Sequence, residues 1–279
     1  MPASVGRRRA VRRSPKQNVS IQRTGRFALI AAAWGMCALL LAGCRTQHKV
    51  ELTVSVAASL TGTIEQVESN YTRLHPEVSF RNNFGPSGAL ARQIEQGAPV
   101  DLLLSAGAKP VDELAAKGLI AAGQSRVLLR NHLVLIAPLG STLASLQQLT
   151  EAQIKKIALG DPQSVPAGSY ALQSLQSARL DAALQPRFVF AKDVRQVLAY
   201  VESGNAEAGF VYATDARIDA KVRVVQMIDD AAHEPIAYPL AVIAQSTHPA
   251  EARAFASYLF TADAARVFAA QGFTMAAQQ

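Results

Sequence analysis

The chain has 279 residues, 49% of them apolar, and a formal net charge of +7; that apolar fraction supports a packed core and excludes a disordered chain. Residues 1–43 hold eight basic residues and no acid, which leaves 20 basic against 21 acidic residues in the remainder. The body is near neutral, without the basic excess that nucleic-acid binding would require.

The basic leader runs into an apolar stretch, Phe27 to Ala42, that is short for a membrane span and ends on Leu41-Ala42-Gly43-Cys44. This ending resembles the bacterial lipoprotein signal. It implies removal of residues 1–43, lipidation of Cys44, a tether over 44–49 and a position in the cell envelope, anchored to a membrane. An ordinary cleaved signal peptide is the alternative. Cys37 lies inside the apolar run, so the exported body has no thiol for a disulfide, a zinc site or cysteine catalysis.

Val50 to Val56 alternates as a strand does, and Ala57-Ala58-Ser59-Leu60-Thr61 reads as a strand-to-helix corner with Ser59 at the helix start. The pattern returns in a strand over Val78–Asn82, a turn over Phe84–Gly88, a helix over Ala89–Gln96, a strand over Val100–Ser105 and a helix over Lys109–Lys117. Such alternation predicts a parallel, wound α/β sheet. Longer strands are predicted over Val127–Leu129 and His132–Ala137. A second set follows: strands at Ile157–Leu159, Arg187–Phe190 and Ala208–Tyr212, and helices over 168–178 and 194–203. Tyr238–Ala244 reads as another long strand, and 250–271 as a terminal helix. Two long strands flanking the second set predict two crossings between lobes. One lobe then covers 48–128 plus 236–279, and the other, inserted, covers 129–235.

A cleft between wound lobes receives ligands at the carboxyl ends of strands. Ser59 and Ser87 sit at two such corners, where a hydroxyl and a helix-start amide can both face an anion. Each reads equally as a simple helix cap. Gly85 and Gly88 flank Ser87 and allow backbone to approach a ligand, while Pro86 stiffens the turn. Gly85-Pro86-Ser87-Gly88 is neither a nucleophile elbow nor a phosphate-binding loop.

Five blocks, in order, resemble the molybdate-binding proteins of ABC importers, the ModA family. They are Val56–Leu60, Gly85–Asp101, Gly160–Pro162 with Val165–Gly168, Asp193–Arg195, and Gly209–Tyr212. The resemblance implies a type II periplasmic-binding-protein fold in which two wound α/β lobes, joined by two crossover strands, close on an oxyanion. It implies Ser59 and Ser87 as hydroxyl donors, Ala167 and Val194 as backbone N–H donors and Tyr212 as a phenolic donor. It further implies molybdate or tungstate as ligand, with the metal held only through its oxygens, no cofactor, an ABC permease as partner, and a monomer. The chain departs from the family at Phe84-Gly85-Pro86, where many members carry small polar residues, so no extra side-chain donor is expected there.

Sulfate or another oxyanion is the nearest alternative ligand. A secreted serine hydrolase built on Ser59 or Ser87 lacks a recognisable base, and the sensing half of a transcription regulator lacks a DNA-binding helix pair. His48, His75, His132, His233 and His248 lack metal-ligand spacing and read as scattered surface residues. Arg92 and Glu95 read as a solvated pair, Lys192 and Arg195 as surface cations that either stay inert or steer anions, and Asp161 as a turn former.

Overall fold

A computed structural model describes residues 49–277 of the chain; Cys44 and the leader lie outside the described residues. The order of elements begins β1 (Val50–Ala57), α1 (Thr63–Leu74), β2 (Val78–Gly85), α2 (Ser87–Glu95), β3 (Leu102–Leu104), α3 (Ala108–Ala116) and β4 (Ile120–Arg130). It continues through β5 (Leu133–Pro138), β6 (Ile157–Gly160), α4 (Pro166–Ser177), α5 (Asp181–Leu184), β7 (Phe188–Ala191), α6 (Val194–Glu202), β8 (Ala208–Tyr212), α7 (Ala213–Ala216) and β9 (Val222–Met227). The chain closes with β10 (Ala237–Ile243), α8 (Pro249–Tyr258), α9 (Ala262–Ala270) and β11 (Thr274–Met275).

The strands form two sheets, a six-stranded one ordered β11-β4-β10-β3-β1-β2 and a five-stranded one ordered β7-β6-β8-β5-β9. Both are mixed. The wound strands run parallel, β1 with β2 and β3, and β6 with β7 and β8. The long strands enter antiparallel, β10 against β3 and β4, and β5 against β8 and β9. The alternating strands are parallel as the sequence pattern predicts, and the antiparallel members are the long strands, because a chain that leaves a sheet and later returns brings them back in the opposite direction. It passes between the sheets twice, through Asn131 and His132 after β4 and through residues 228–236 after β9.

Helices bury one stripe each. In α1, Ile64, Val67 and Tyr71 recur at helical spacing and are buried, and in α2 Leu90, Ala91 and Ile94 do the same. Each fully buried aliphatic chain contributes about 1.5–3 kcal/mol. On the second sheet α4 lies so near β6 that a Cβ on Gly168 would stand 1.9 Å from the Gly160 carbonyl oxygen. This approach fixes where α4 begins. The helix starts at Pro166, two residues before the predicted start, so Ala167 belongs to its first turn.

Other boundaries move as well. The terminal helix is two, because the Thr261 hydroxyl accepts the Ala264 N–H and caps a fresh start at α9. His233 is buried beside Tyr170 and is not a surface residue. Glu95 pairs with Lys117 at 2.7 Å rather than with Arg92.

Candidate functional site

Strand ends and helix starts from both sheets meet at one small cavity. From the first sheet come the turn after β1 with Ala58 and Ser59, Gly85 and Pro86 closing β2, Ser87 opening α2, and Ala106 after β3. From the second come Val165 and Pro166 at the head of α4, Asp193 and Val194 at the head of α6, and Tyr212 at the end of β8. Four of the five residues expected as donors, Ser59, Ser87, Val194 and Tyr212, thus line one space. Ala167 is fully buried one residue inside that lining, behind Val165 and Pro166. The cavity measures about 10 Å³, room for roughly one water-sized sphere.

Three helices of nine to twelve residues aim their N-termini here, and the first amides of a helix have no partner within it. Asp193 caps α6 by accepting the Gln196 N–H at 2.8 Å, which leaves the Val194 amide at the open head of that helix. Such ends carry partial positive charge and suit an anion. Ser59 departs from the corner expected for it. It lies in a single 3₁₀ turn, Ala58–Leu60, and α1 begins only at Thr63 behind Gly62. Ser59 is therefore no helix cap.

The hydroxyls have assigned duties. Ser87 Oγ accepts the Ala106 N–H at 2.9 Å, which leaves its own proton free to donate. Ser59 Oγ meets the Tyr238 hydroxyl at 3.1 Å. Tyr212 donates its proton to the Ala106 carbonyl across the cleft at 2.9 Å. Burial holds the Tyr212 phenol well above its ordinary pKa, so it stays protonated and able to donate.

Several bonds tie the lobes together around the cavity. The Gly88 N–H donates to the Ser164 carbonyl at 3.0 Å. Arg195, expected at the surface, reaches from α6 to the Ala58 and Ser59 carbonyls at 3.2 Å each and stands 3.1 Å from the fully buried Asp215. Burial raises the Asp215 carboxyl to about 7 even against the pull of Arg195. Sequence reasoning placed Arg195 beside the site but missed this bridging role, which depends on a partner turn 136 residues away.

An adjoining groove of about 840 Å³ opens between the lobes past Pro166. Its charges are mixed, with Arg92, Lys109, Lys117 and Arg130 against Glu95, Asp112, Glu113 and Glu234, so it lacks the uniform donor chemistry of the small cavity. Among the described residues no three His, Cys, Asp or Glu side chains cluster to hold a metal ion.

Two wound lobes with a donor-lined cleft between them define a type II periplasmic binding protein. The model of the bacterial extracellular solute-binding protein family matches residues 52–274. A Bacillus subtilis protein named as a putative ABC transporter substrate-binding lipoprotein is 42% identical, over 85% of this chain and 94% of its own. The molybdate-binding protein ModA of Escherichia coli is 36% identical, over 84% of this chain and 93% of its own. The solved substrate-binding domain of a putative molybdenum ABC transporter from Clostridium difficile is 40% identical, with a TM-score of 0.66 over 82% of this chain and all of that one. The chain belongs to the bacterial extracellular solute-binding protein family, among the relatives of ModA.

Proposed function

We propose that this protein captures molybdate, and tungstate with it, outside the cytoplasm and delivers it to an ABC permease, acting as a binding protein and not as an enzyme. The observation that carries the reading is the meeting of Ser59, Ser87, Tyr212 and three helix N-termini at one cavity, with neutral donors from both lobes. The names of the ModA relatives and of the molybdenum transporter domain support the choice of ion.

In this reading the Ser59 and Ser87 hydroxyls, the Ala167 and Val194 amides and the Tyr212 phenol each donate to an oxyanion oxygen, and the metal atom touches no protein group. Tyr212 turns its proton from Ala106 to the anion as the anion binds. Hydrogen bonds to a charged acceptor contribute about 1.5–3 kcal/mol each, enough for five or more to offset desolvation of a dianion and leave micromolar to nanomolar affinity. Lobes drawn at 48–128 plus 236–279 and at 129–235 close on the ligand, and the closed form is what the permease reads. The protein acts as a monomer without a cofactor, exported by residues 1–43 and held at a membrane through lipid on Cys44 and the tether over 44–49.

The test is thermal unfolding with molybdate, tungstate, sulfate and phosphate. Ligand at a hundredfold excess over Kd adds about 2.7 kcal/mol, so molybdate and tungstate raise Tm by several degrees and phosphate leaves it near the unliganded value. No rise with any oxyanion refutes the reading.

A further inference from the structure

Arg195 stands in the first turn of α6, directly after Val194. A cation there opposes the helix dipole, so its placement does not serve α6 itself. Nor does it line the anion site. Ser59 borders both the small cavity and a second space of about 250 Å³, and Arg195 lines only the second.

Two duties are open to the guanidinium. One lies within its own lobe, where Nε stands 3.1 Å from Asp215 Oδ1 and supplies a counter-charge to that fully buried carboxyl. The other crosses the cleft: the Nε–H donates to the Ala58 carbonyl and an Nη2–H to the Ser59 carbonyl, at 3.2 Å each. Direction separates the two. The N–H bonds are aimed at the carbonyls, whereas Arg195 gives Asp215 no aligned hydrogen bond and holds it by charge, with the Tyr212 backbone also beside it.

The two carbonyls belong to the peptides on either side of the Ser59 Cα. Each peptide is planar, so fixing its oxygen fixes its plane, and the guanidinium fork sets the backbone of a residue that presents a hydroxyl to the cavity. Ala58 and Ser59 follow β1 of the first sheet, while Arg195 and Asp215 belong to α6 and α7, which pack on the second. Parting of the lobes breaks both carbonyl bonds and leaves the Asp215 pair together, because Arg195 and Asp215 travel as one. The freed Nε–H then has Asp215 within reach.

We infer that Arg195 is a positioning residue, a closure clamp that grips Ser59 through its backbone in the closed form, returns to Asp215 when the lobes part, and sets how long a captured anion stays bound. A contact made only after closure slows release without hastening capture. The inference deepens the proposed oxyanion reading and rests on it.

Two variants separate clamp from counter-charge. Arg195→Lys keeps a positive charge beside Asp215 but has no fork to hold two carbonyls, and Arg195→Met combined with Asp215→Asn removes both charges together, leaving no buried carboxylate unpaired. Both are expected to release molybdate about tenfold faster, the order of one hydrogen bond to a charged group, with capture within about twofold of wild type and the unliganded Tm nearly unchanged. Release is read by chasing isotopically labelled molybdate with unlabelled ion, and capture by stopped-flow tyrosine fluorescence, since Tyr212 lines the cavity. A release rate within about twofold of wild type in either variant overturns the clamp and leaves Arg195 a counter-charge. So does faster release that comes only with a lowered Tm of the unliganded protein. Should the double variant not fold, Arg195→Lys decides alone by the same outcomes. Failure of the wild type to bind molybdate, tungstate or sulfate overturns the oxyanion reading and the clamp with it, whereas binding with unaltered release overturns the clamp alone.

Discussion

Closure leaves almost no clearance between the lobes at Gly107, so one methyl group there acts as a wedge. A Cβ on Gly107 would stand 2.8 Å from Pro166 Cβ and 3.0 Å from Pro166 Cγ, where ordinary contact begins at 3.4 Å. Neither proline atom can swing away, because the ring is rigid and Pro166 starts α4. Gly107 itself has extended backbone, φ −169°, which alanine adopts freely. The cost of Gly107→Ala therefore falls on closure and not on either lobe. Relieving the overlap opens the cleft by about 1 Å, enough to break one or two bonds to the anion at about 1.5–3 kcal/mol each. The expected loss is 3 kcal/mol to first order, about a hundredfold in affinity, with the Tm of the unliganded protein lowered by no more than a few degrees. Titration calorimetry with molybdate, paired with unfolding of the unliganded protein, measures both. An affinity within threefold of wild type refutes the tight closed cleft.

Three further expectations follow from the same geometry. Gly168→Ala drives a Cβ to 1.9 Å from the Gly160 carbonyl oxygen, a clash with backbone inside one lobe; it should lower Tm and molybdate affinity together, and an unchanged Tm contradicts the packing of α4 on β6. Ser87→Ala removes a hydroxyl oriented by Ala106 and should weaken molybdate more than tenfold by calorimetry, whereas an unchanged constant removes Ser87 from the site. Glu68 is buried and its carboxyl is raised from 4.5 to about 7, burial outweighing the hydrogen bond from Asn82. A folded pKa above the unfolded one means that stability is greatest below 4.5 and declines as pH rises toward 7, by up to about 3 kcal/mol. Glu68→Gln should flatten this decline in denaturant titrations at pH 5 and pH 8, and an unaltered slope contradicts the burial.

Local chemistry made much of the fold readable in advance. Strands such as Val50–Ala57 announce themselves by apolar alternation, and the corner at Ser87 by its glycines and proline. Two strands were not readable: β9 at Val222–Met227 has no clear apolar period, and β11 spans only Thr274 and Met275. Antiparallel entry of the crossing strands follows from topology and leaves no local mark. The same limit governs the site. Ser59, Ser87 and Tyr212 stand at strand ends, where function concentrates, but Ala167 and Val194 act through backbone and have no side-chain signature, so only the family resemblance points to them. The couplings that orient the donors join residues far apart in sequence, Ser59 with Tyr238 across 179 positions and Arg195 with Ser59 across 136. No periodicity reports such pairs.

The central claim is that neutral donors from both lobes hold a molybdate dianion, and a calorimetric titration of the purified protein with molybdate tests it most directly, with phosphate as the competitor. The account predicts one site per chain with micromolar or tighter affinity, unaffected by a hundredfold excess of phosphate. Absence of binding, or displacement of molybdate by phosphate at comparable concentration, contradicts it.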